Sequence, residues 1–457
     1  MTHLLPRSRP EAQSVPSAAL ARLVEALDEI DHVHTLTVVR RGHVIAEATW
    51  APYERDLPHA MYSVSKSFTS IAVGLAIDEG RFGIDDRVID LLPAAVPAAP
   101  SAHLSSLRVR HLLSMATGHA EEPSEWGDDW APAILATELA FEPGTHWLYN
   151  TAATYLLSEI VQCSTGERVR DYLWPRVLEP LGFEKPWWLR SPTGVDAGGF
   201  GLMIRAEELA AFGHLLLQRG TWKGRQLVPA EWIAQATSRQ MSNGDAGAGD
   251  WVQGYGFQFW RCRDGAYRGD GAFGQYVIVM PDQEAVVAIT GGLPDMQRPL
   301  DAVWRELLPA FDTTEPERPV RDRLAIPTPG GEQRAAEAVF EYDGPIRRLR
   351  IGAGVLDIDG VELALAGDSW TTAVLSLHGD PDPPWWGDRV AVSGGWIGEE
   401  FAVEVRALQD AVTYRMEVSD SGRLVITRDV GFDGTEVWEG DAVRGQPAEA
   451  HHSAVSP

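Results

Sequence analysis

Ser63 and Lys66 are the residues whose types and spacing point most directly to chemistry. They stand three positions apart in MYSVSKSFTSIAVGLAIDEG, where the apolar spacing predicts a helix that ends at Gly80. A serine hydroxyl needs a base to become a nucleophile, and an amine one helical turn away is within reach. An apolar helix body would lower the lysine pKa by desolvation. The pair predicts an acylation centre; the alternative is a Ser63 N-cap beside a solvated Lys66.

The scarcity of lysine strengthens this interpretation. Of the 39 lysine and arginine residues, only Lys66, Lys185 and Lys223 are lysines. Arginine stays protonated in proteins, whereas a buried lysine can lose its proton. A lysine kept in such an arginine-rich chain is therefore a good candidate for a base. Lys185 and Lys223 lie in polar, turn-like segments that favour solvated roles.

A second polar group stands in PGTHWLYNTAATYLLSEIVQ, before an apolar helix. The hydroxyl of Tyr149 could act as a base or proton relay, with a pKa lowered by a neighbouring ammonium. Asn150 and Thr151 are candidates to contact a substrate or to orient the lysine. The alternative is that Asn150 or Thr151 caps the helix while Tyr149 packs in the core.

A third group is the glycine-rich segment Gly269–Gly274, GDGAFG. Glycine inside a strand often marks the close approach of a ligand or another backbone. Asp270 and Gly271 are candidate substrate contacts, and Asp270 could also tune the lysine. A strand with open N–H groups could stabilise an oxyanion facing the serine. The alternative is a glycine-rich bulge.

The elements that must position these residues predict an α+β fold. Two strands are expected over residues 33–50, helices over 17–30, 151–164 and 206–219, and a strand pair formed by Tyr267–Met280 and Ala285–Thr290. The predicted organisation is an N-terminal extension (1–16), the main domain (17–311), a linker (312–335), a β-rich C-terminal domain (336–445) and a disordered tail (446–457).

Composition excludes several classes of function. The formal net charge of −26 opposes binding to nucleic acid and to anionic membranes, so neither is expected as a partner. The two cysteines, Cys163 and Cys262, do not have metal-ligand spacing, and neither a metal nor a cofactor is expected. The N-terminus lacks the apolar run of a signal peptide, which predicts a cytoplasmic protein.

Together these motifs resemble the serine β-lactamase and penicillin-binding-protein superfamily. S-x-x-K opens a helix, a tyrosine follows a P-G-T turn, and a glycine-bearing strand comes late in the domain. The closer likeness, over about residues 20–311, is to the class C β-lactamase-related branch, which includes family VIII esterases, 6-aminohexanoate-dimer hydrolases and DD-peptidases. The resemblance implies an antiparallel sheet flanked by helices, with an all-helical lobe.

The resemblance also implies a role for each motif. Ser63 looks like the acylated nucleophile, Lys66 its base and Tyr149 the proton shuttle, with an oxyanion hole formed by the N–H groups of Ser63 and Ala272. Where the family often has asparagine, this chain has Thr151. Where the family usually has a lysine or histidine that helps to bind a substrate carboxylate, it has Gly269.

These departures make weak or absent β-lactamase activity the expectation. The predicted function is a serine hydrolase that acts on a small-molecule or peptide ester or amide. The alternatives are a penicillin-binding-protein-type thioesterase or peptide cyclase, and a non-catalytic ligand-binding protein on the same fold. The oligomeric state does not follow from the sequence.

Overall fold

A computed structural model describes residues 3–244, 249–335, 337–344, 346–352, 354–375, 389–429 and 435–446. The chain forms two compact units. The first comprises the described residues up to 48, together with 55–290 and 295–322; the second comprises 49–54, 291–294 and the described residues from 323 onward. Of the predicted tail, residues 447–457 lie outside the described residues.

The helices all belong to the first unit among the residues that the structure describes. They are α1 (Ser17–Asp28), α2 (Ser65–Asp78), α3 (Val88–Leu91), α4 (Ala102–Ser106), α5 (Val109–Leu113), α6 (Trp130–Ala136), α7 (Thr151–Thr165), α8 (Val169–Leu173), α9 (Glu179–Leu181), α10 (Ala206–Leu217), α11 (Ala230–Thr237) and α12 (Gln297–Ala302). Short 3-10 turns form at Glu11–Gln13, Tyr62–Val64, Pro93–Ala95 and Leu308–Ala310, and π-helical turns at Trp174–Leu178 and Val303–Leu307.

The strands fall into an early, a middle and a late group. The early and middle strands are β1 (Val33–Arg40), β2 (His43–Ala51), β3 (His59–Ala60), β4 (Trp187–Trp188), β5 (Leu202–Ile204), β6 (Thr221–Trp222), β7 (Arg225–Gln226), β8 (Trp260–Arg261), β9 (Tyr267–Gly271), β10 (Gln275–Met280) and β11 (Ala285–Gly291). The late strands are β12 (Arg323–Ala325), β13 (Ala338–Glu341), β14 (Arg348–Gly352), β15 (Val355–Ile358), β16 (Val361–Ala364), β17 (Thr371–Val374), β18 (Arg389–Ile397), β19 (Glu400–Ala407), β20 (Thr413–Val418), β21 (Leu424–Asp429), β22 (Glu436–Gly440) and β23 (Arg444–Gln446).

The central sheet of the first unit has the order β2-β1-β11-β10-β9-β8. It carries α10 against β1 and β10, and α2 lies in the same core, where Phe68 stacks on Phe212 with ring centroids 3.8 Å apart. Helix α2 is buried from Ser65 to Ala76 because almost every face of it meets another element. This mixture of sheet and helices, followed by a strand-rich C-terminal region, confirms the predicted α+β fold class.

One predicted strand is wrong in its extent. Tyr267–Met280 is an antiparallel hairpin of β9 and β10, in which Gln275 pairs with Gly271, rather than one continuous strand. The chain reverses at residues 272–274, where Phe273 has φ of +64° and Gly274 has φ of +88°. Two successive residues with left-handed backbone close a tight hairpin turn. The reversal places Ala272 at the end of the sheet.

The second unit is built mainly of antiparallel strands. Five strands form one sheet in the order β16-β15-β14-β13-β23, and six form another in the order β17-β18-β19-β20-β21-β22. Their inner faces share one apolar core that includes Phe340, Leu356, Phe401 and Val418. Strand β12 lies within the predicted linker and pairs in parallel with residues 49–51 of β2.

None of the helices in the described part of the chain combines the length and the apolar character needed to cross a bilayer.

Candidate active site

Ser63 and Lys66 meet at the N-terminal end of α2. Ser63 lies in the 3-10 turn Tyr62–Val64, which leads directly into the helix. Lys66 Nζ donates a hydrogen bond of 2.8 Å to Ser63 Oγ. The helix N-cap is Val64, and Lys66 is only 1% exposed, so the alternative of a Ser63 cap beside a solvated lysine is wrong.

The environment of Lys66 favours the neutral amine. Burial lowers its pKa to about 7, although the carboxylates of Glu122 and Asp270 act in the opposite direction. A buried ammonium loses the hydration that stabilises its charge. Close to neutral pH, a substantial fraction of Lys66 is therefore free to accept a proton from Ser63.

A backbone carbonyl fixes the lysine from the opposite side. Lys66 Nζ donates a second hydrogen bond, of 2.9 Å, to the carbonyl oxygen of Gly199. A Cβ at Gly199 would lie 2.7 Å from Cγ2 of Thr151, so a side chain there would push the loop away. The sequence motifs gave no role to Gly199, because its contact with Lys66 spans 133 positions.

Tyr149 lies next to the pair. Lys66 Nζ is 4.9 Å from the centroid of the Tyr149 ring, and the Ser63 side chain is among the groups that act on the Tyr149 hydroxyl. The prediction of a lowered tyrosine pKa is wrong. Burial raises the pKa of Tyr149 well above its ordinary value, and the Asp270 and Glu122 carboxylates add to this rise. The residue is therefore a neutral phenol, able to donate and to relay a proton.

Asn150 and Thr151 have different positions. Asn150 is the N-cap of α7: its side-chain oxygen accepts a 3.1 Å hydrogen bond from the N–H of Ala153, and its Nδ2 lies 3.1 Å from Nδ1 of His119. These contacts agree with the capping alternative and not with a substrate contact. The N–H of Thr151 donates to Glu122, which sequence reasoning missed and whose charge acts on Lys66.

The end of β9 comes close to the Ser63 turn. A Cβ at Gly271 would lie 2.4 Å from the Met61 carbonyl oxygen, so only glycine lets the strand approach this far. Among the described residues, neither the N–H of Ser63 nor that of Ala272 donates to a protein acceptor. Free N–H groups beside a nucleophile are what an oxyanion hole requires.

Strand β9 also carries a cation, two positions from Asp270. Arg268 is fully buried, and its Nε donates a 2.7 Å hydrogen bond to Asp270. Its Nη1 donates to the Asp250 carbonyl oxygen and to the sulfur of Cys262. Asp270 is thus the partner of an internal arginine as well as a charge acting on Lys66. The positive charge of Arg268 is neutralised within the protein.

Aromatic rings pack around Tyr149. Its ring stacks on Trp260 at 5.3 Å and lies edge-on to Tyr255 at 6.2 Å, and Trp147 packs against both of these partners. These rings hold the phenol in place and exclude water from it. The sequence did not predict this cluster, because Tyr255 and Trp260 come more than 100 positions after Tyr149.

The comparisons with known proteins identify the family of the chain. The Beta-lactamase family model matches residues 10–306, so the chain belongs to the beta-lactamase family. The 6-aminohexanoate-dimer hydrolase of Paenarthrobacter ureafaciens is 25% identical to it over 64% of this chain and 83% of that protein. An uncharacterized protein of Alkalihalophilus pseudofirmus is 24% identical over 45% of this chain, which spans 65% of the length of that protein.

One solved structure resembles a longer part of this chain than the family model matches. The structure of SurE with D-Leu superimposes with a TM-score of 0.53 and 17% identity, covering 95% of this chain and all of that chain. The likeness shows a shared fold. It extends past residue 306, where the family model ends, into the strand-rich C-terminal region.

Proposed function

We propose that the chain is a serine hydrolase that cleaves an ester or amide through an acyl-enzyme on Ser63. The observation that carries the proposal is the 2.8 Å hydrogen bond between Ser63 Oγ and the buried Lys66, whose pKa falls to about 7. A nucleophile in contact with a base that is deprotonated near neutral pH is the core of nucleophilic catalysis. Hydrolases among the matched relatives support the same chemistry.

In the first step, the neutral amine of Lys66 takes the proton of Ser63 Oγ while the oxygen attacks the substrate carbonyl carbon. A bond forms between Oγ and the carbon, and the carbonyl π electrons move onto the oxygen. The free N–H groups of Ser63 and Ala272 would hold this oxyanion. The Gly199 carbonyl stabilises the lysine once it becomes an ammonium.

Collapse of the tetrahedral intermediate breaks the bond to the leaving group, which needs a proton. Tyr149 lies beside Lys66 and interacts with Ser63, so it can give its proton to the leaving atom and recover one from the ammonium. Its raised pKa keeps it protonated until that moment. Water then attacks the acyl-enzyme by the reverse sequence of proton transfers.

The charges around the site favour a substrate without a carboxylate next to the cleaved bond. Asp270 is paired with Nε of Arg268, and the negative charges of Glu122 and Asp270 act on Lys66 and Tyr149. This field repels a substrate carboxylate and accommodates a neutral or amine-bearing group. True β-lactamase activity is therefore weak or absent in this proposal.

A panel of p-nitrophenyl esters, small amides and a chromogenic cephalosporin tests the proposal. We expect ester turnover with a burst of one p-nitrophenol per chain where deacylation is slow, and little cephalosporin cleavage. Ser63→Ala should abolish both the burst and the turnover, while the control Ser65→Ala, at the first residue of α2, should retain them. Turnover that survives Ser63→Ala would contradict the proposal.

The second candidate function is acyl transfer to an amine, as carried out by a thioesterase or a peptide cyclase. The acidic field favours an ammonium-bearing acceptor, and the superposition with SurE, which was solved with D-Leu, covers 95% of this chain. Adding amino acid amides to an ester or thioester assay measures how the acyl-enzyme divides between hydrolysis and transfer to the amine. Transfer product that exceeds hydrolysis product at millimolar amine would favour this candidate; hydrolysis unaffected by amine would exclude it.

A further inference from the structure

The six-stranded sheet of the second unit shows a gradient from apolar to polar along its inner face. Cross-strand partners share a face, and register places Val403, Met416, Ile426 and Trp438 in one row across β19–β22. The neighbouring row consists of Val405, Tyr414, Arg428 and Glu436. We call these the apolar row and the polar row. Below the apolar row, Phe401, Val418 and Leu424 close the core.

A cavity of about 660 Å³ lies over these two rows. Members of both rows line one side of it, and residues of the five-stranded sheet, Ile358 and Val361 among them, line the other. The volume is in the range of pockets that bind small molecules. At its edge, Val361 and Val437 are 39% and 57% exposed, so part of the entrance is apolar.

Arg428 is the cation that lines this cavity, and its side chain is 26% exposed. Its Nε is buried without a hydrogen-bond partner among the described residues, so a ligand would meet the outer nitrogens of the guanidinium. Its Nη1 contacts Glu436 at 3.2 and 3.3 Å, and the Glu436 side chain is 61% exposed. Exposed ion pairs of this kind contribute little stability, so Glu436 can turn away into solvent at small cost.

Asp359, another acid in the lining, is already engaged: its carboxylate accepts hydrogen bonds from the backbone N–H groups of Arg347 and Arg348. A planar guanidinium matches a carboxylate in two-pronged geometry once Glu436 has turned away from it. The remaining lining is mainly apolar and includes the Tyr414 and Trp438 rings. The chemistry of the lining is that of a site for an amphiphile with one anionic end.

We propose that this cavity binds a long-chain carboxylate, with the chain over the apolar row and the carboxylate on Arg428 in place of Glu436. The site is separate from the Ser63 chemistry and involves no covalent step. The ligand is a bound molecule of the second unit rather than the hydrolysed substrate.

Calorimetric titration of the full chain with dodecanoate, below its micelle concentration, tests the proposal. We expect saturable one-to-one binding, with dodecanol at least about tenfold weaker because it lacks the charge-assisted hydrogen bonds. Arg428→Ala should remove this preference. The matched control is Arg423→Ala. Arg423 directly precedes β21 and pairs with Glu439 of β22 but does not line the cavity, so its loss should leave the preference intact.

A gain of affinity separates the proposal from simple damage to the fold. Glu436→Gln removes the competitor for Arg428 and should tighten dodecanoate binding several-fold, whereas Glu439→Gln should not. Met416→Trp fills the cavity and should abolish binding of both ligands; circular dichroism reports whether each variant is folded. Absence of saturable binding, equal affinity for the two ligands, or no change with Glu436→Gln would each overturn the proposal.

Discussion

Replacing Lys66 with methionine tests the buried, neutral lysine through stability rather than through activity. Methionine keeps the length and apolar stem of the side chain but has no charge to desolvate. In the unfolded chain, Lys66 has a pKa of about 10.5, and in the folded protein burial lowers that pKa to about 7. Between these pH values the unfolded state binds one proton more than the folded state, so the lysine makes stability fall as pH falls.

The size of the stability change follows from the interval between the folded and the unfolded pKa of Lys66. Each pH unit within it changes the free energy of unfolding by about 1.4 kcal/mol. From pH 10 to pH 7 the wild type should therefore lose about 3.5 kcal/mol relative to Lys66→Met. The substitution also removes the hydrogen bonds to Ser63 and Gly199. That loss does not vary with pH across this interval, so it cancels when the two pH values are compared.

Urea unfolding of both proteins at pH 7 and pH 10, followed by far-ultraviolet circular dichroism, measures the difference. The matched control is Lys223→Met, which changes an exposed lysine and should show no pH-dependent difference from wild type. If the stability difference between wild type and Lys66→Met is the same at both pH values, Lys66 carries its charge in the folded protein and the reasoning fails.

Three further predictions concern catalysis. The kcat/KM of ester hydrolysis should rise with pH through an apparent pKa of about 7 as Lys66 loses its proton; a midpoint near 10 would contradict this assignment. Tyr149→Phe should lower kcat/KM about 100-fold or more for alkyl esters and amides, but much less for p-nitrophenyl esters, whose leaving group needs no proton. The control is Tyr255→Phe, in the same aromatic cluster. Equal losses of kcat/KM on both substrate types would refute the proton relay. Asp270→Asn removes a charge that raises the pKa of Lys66, so the midpoint of the pH–rate profile should move to lower pH; an unchanged midpoint, with the protein folded, would show that this carboxylate does not act on the lysine.

The sequence predicted the parts of the site that depend on local geometry. Ser63 and Lys66 are three positions apart, and a helix brings such a pair together whatever the rest of the fold does. The apolar residues around Lys66 predicted its burial and its lowered pKa, because these residues belong to the same local helix. Tyr149 was found because it precedes a helix in a recognisable motif. The direction of its pKa shift was not predicted, since burial outweighs the effect of the nearby Arg268 cation.

The remaining parts of the site depend on contacts between distant segments. Gly199 reaches Lys66 across 133 positions, and Glu122 approaches Thr151 from another loop. Arg268 was not predicted as a site residue, because the family's usual lysine or histidine stands at the next position, which is Gly269 in this chain. Its pairing with Asp270 depends on the alternation of side chains along β9 and on burial of both residues. Such pairings depend on tertiary packing, which cannot be predicted from a local motif.

Trapping the acyl-enzyme is the most direct test of the central claim. The intact protein is treated with a fluorophosphonate, and the modified residue is located by peptide mass spectrometry. We predict one adduct per chain, on Ser63, formed at a rate that rises with pH through about 7 and absent from Ser63→Ala. No adduct, or an adduct on another residue such as Ser65, would contradict the assignment of Ser63 as the nucleophile.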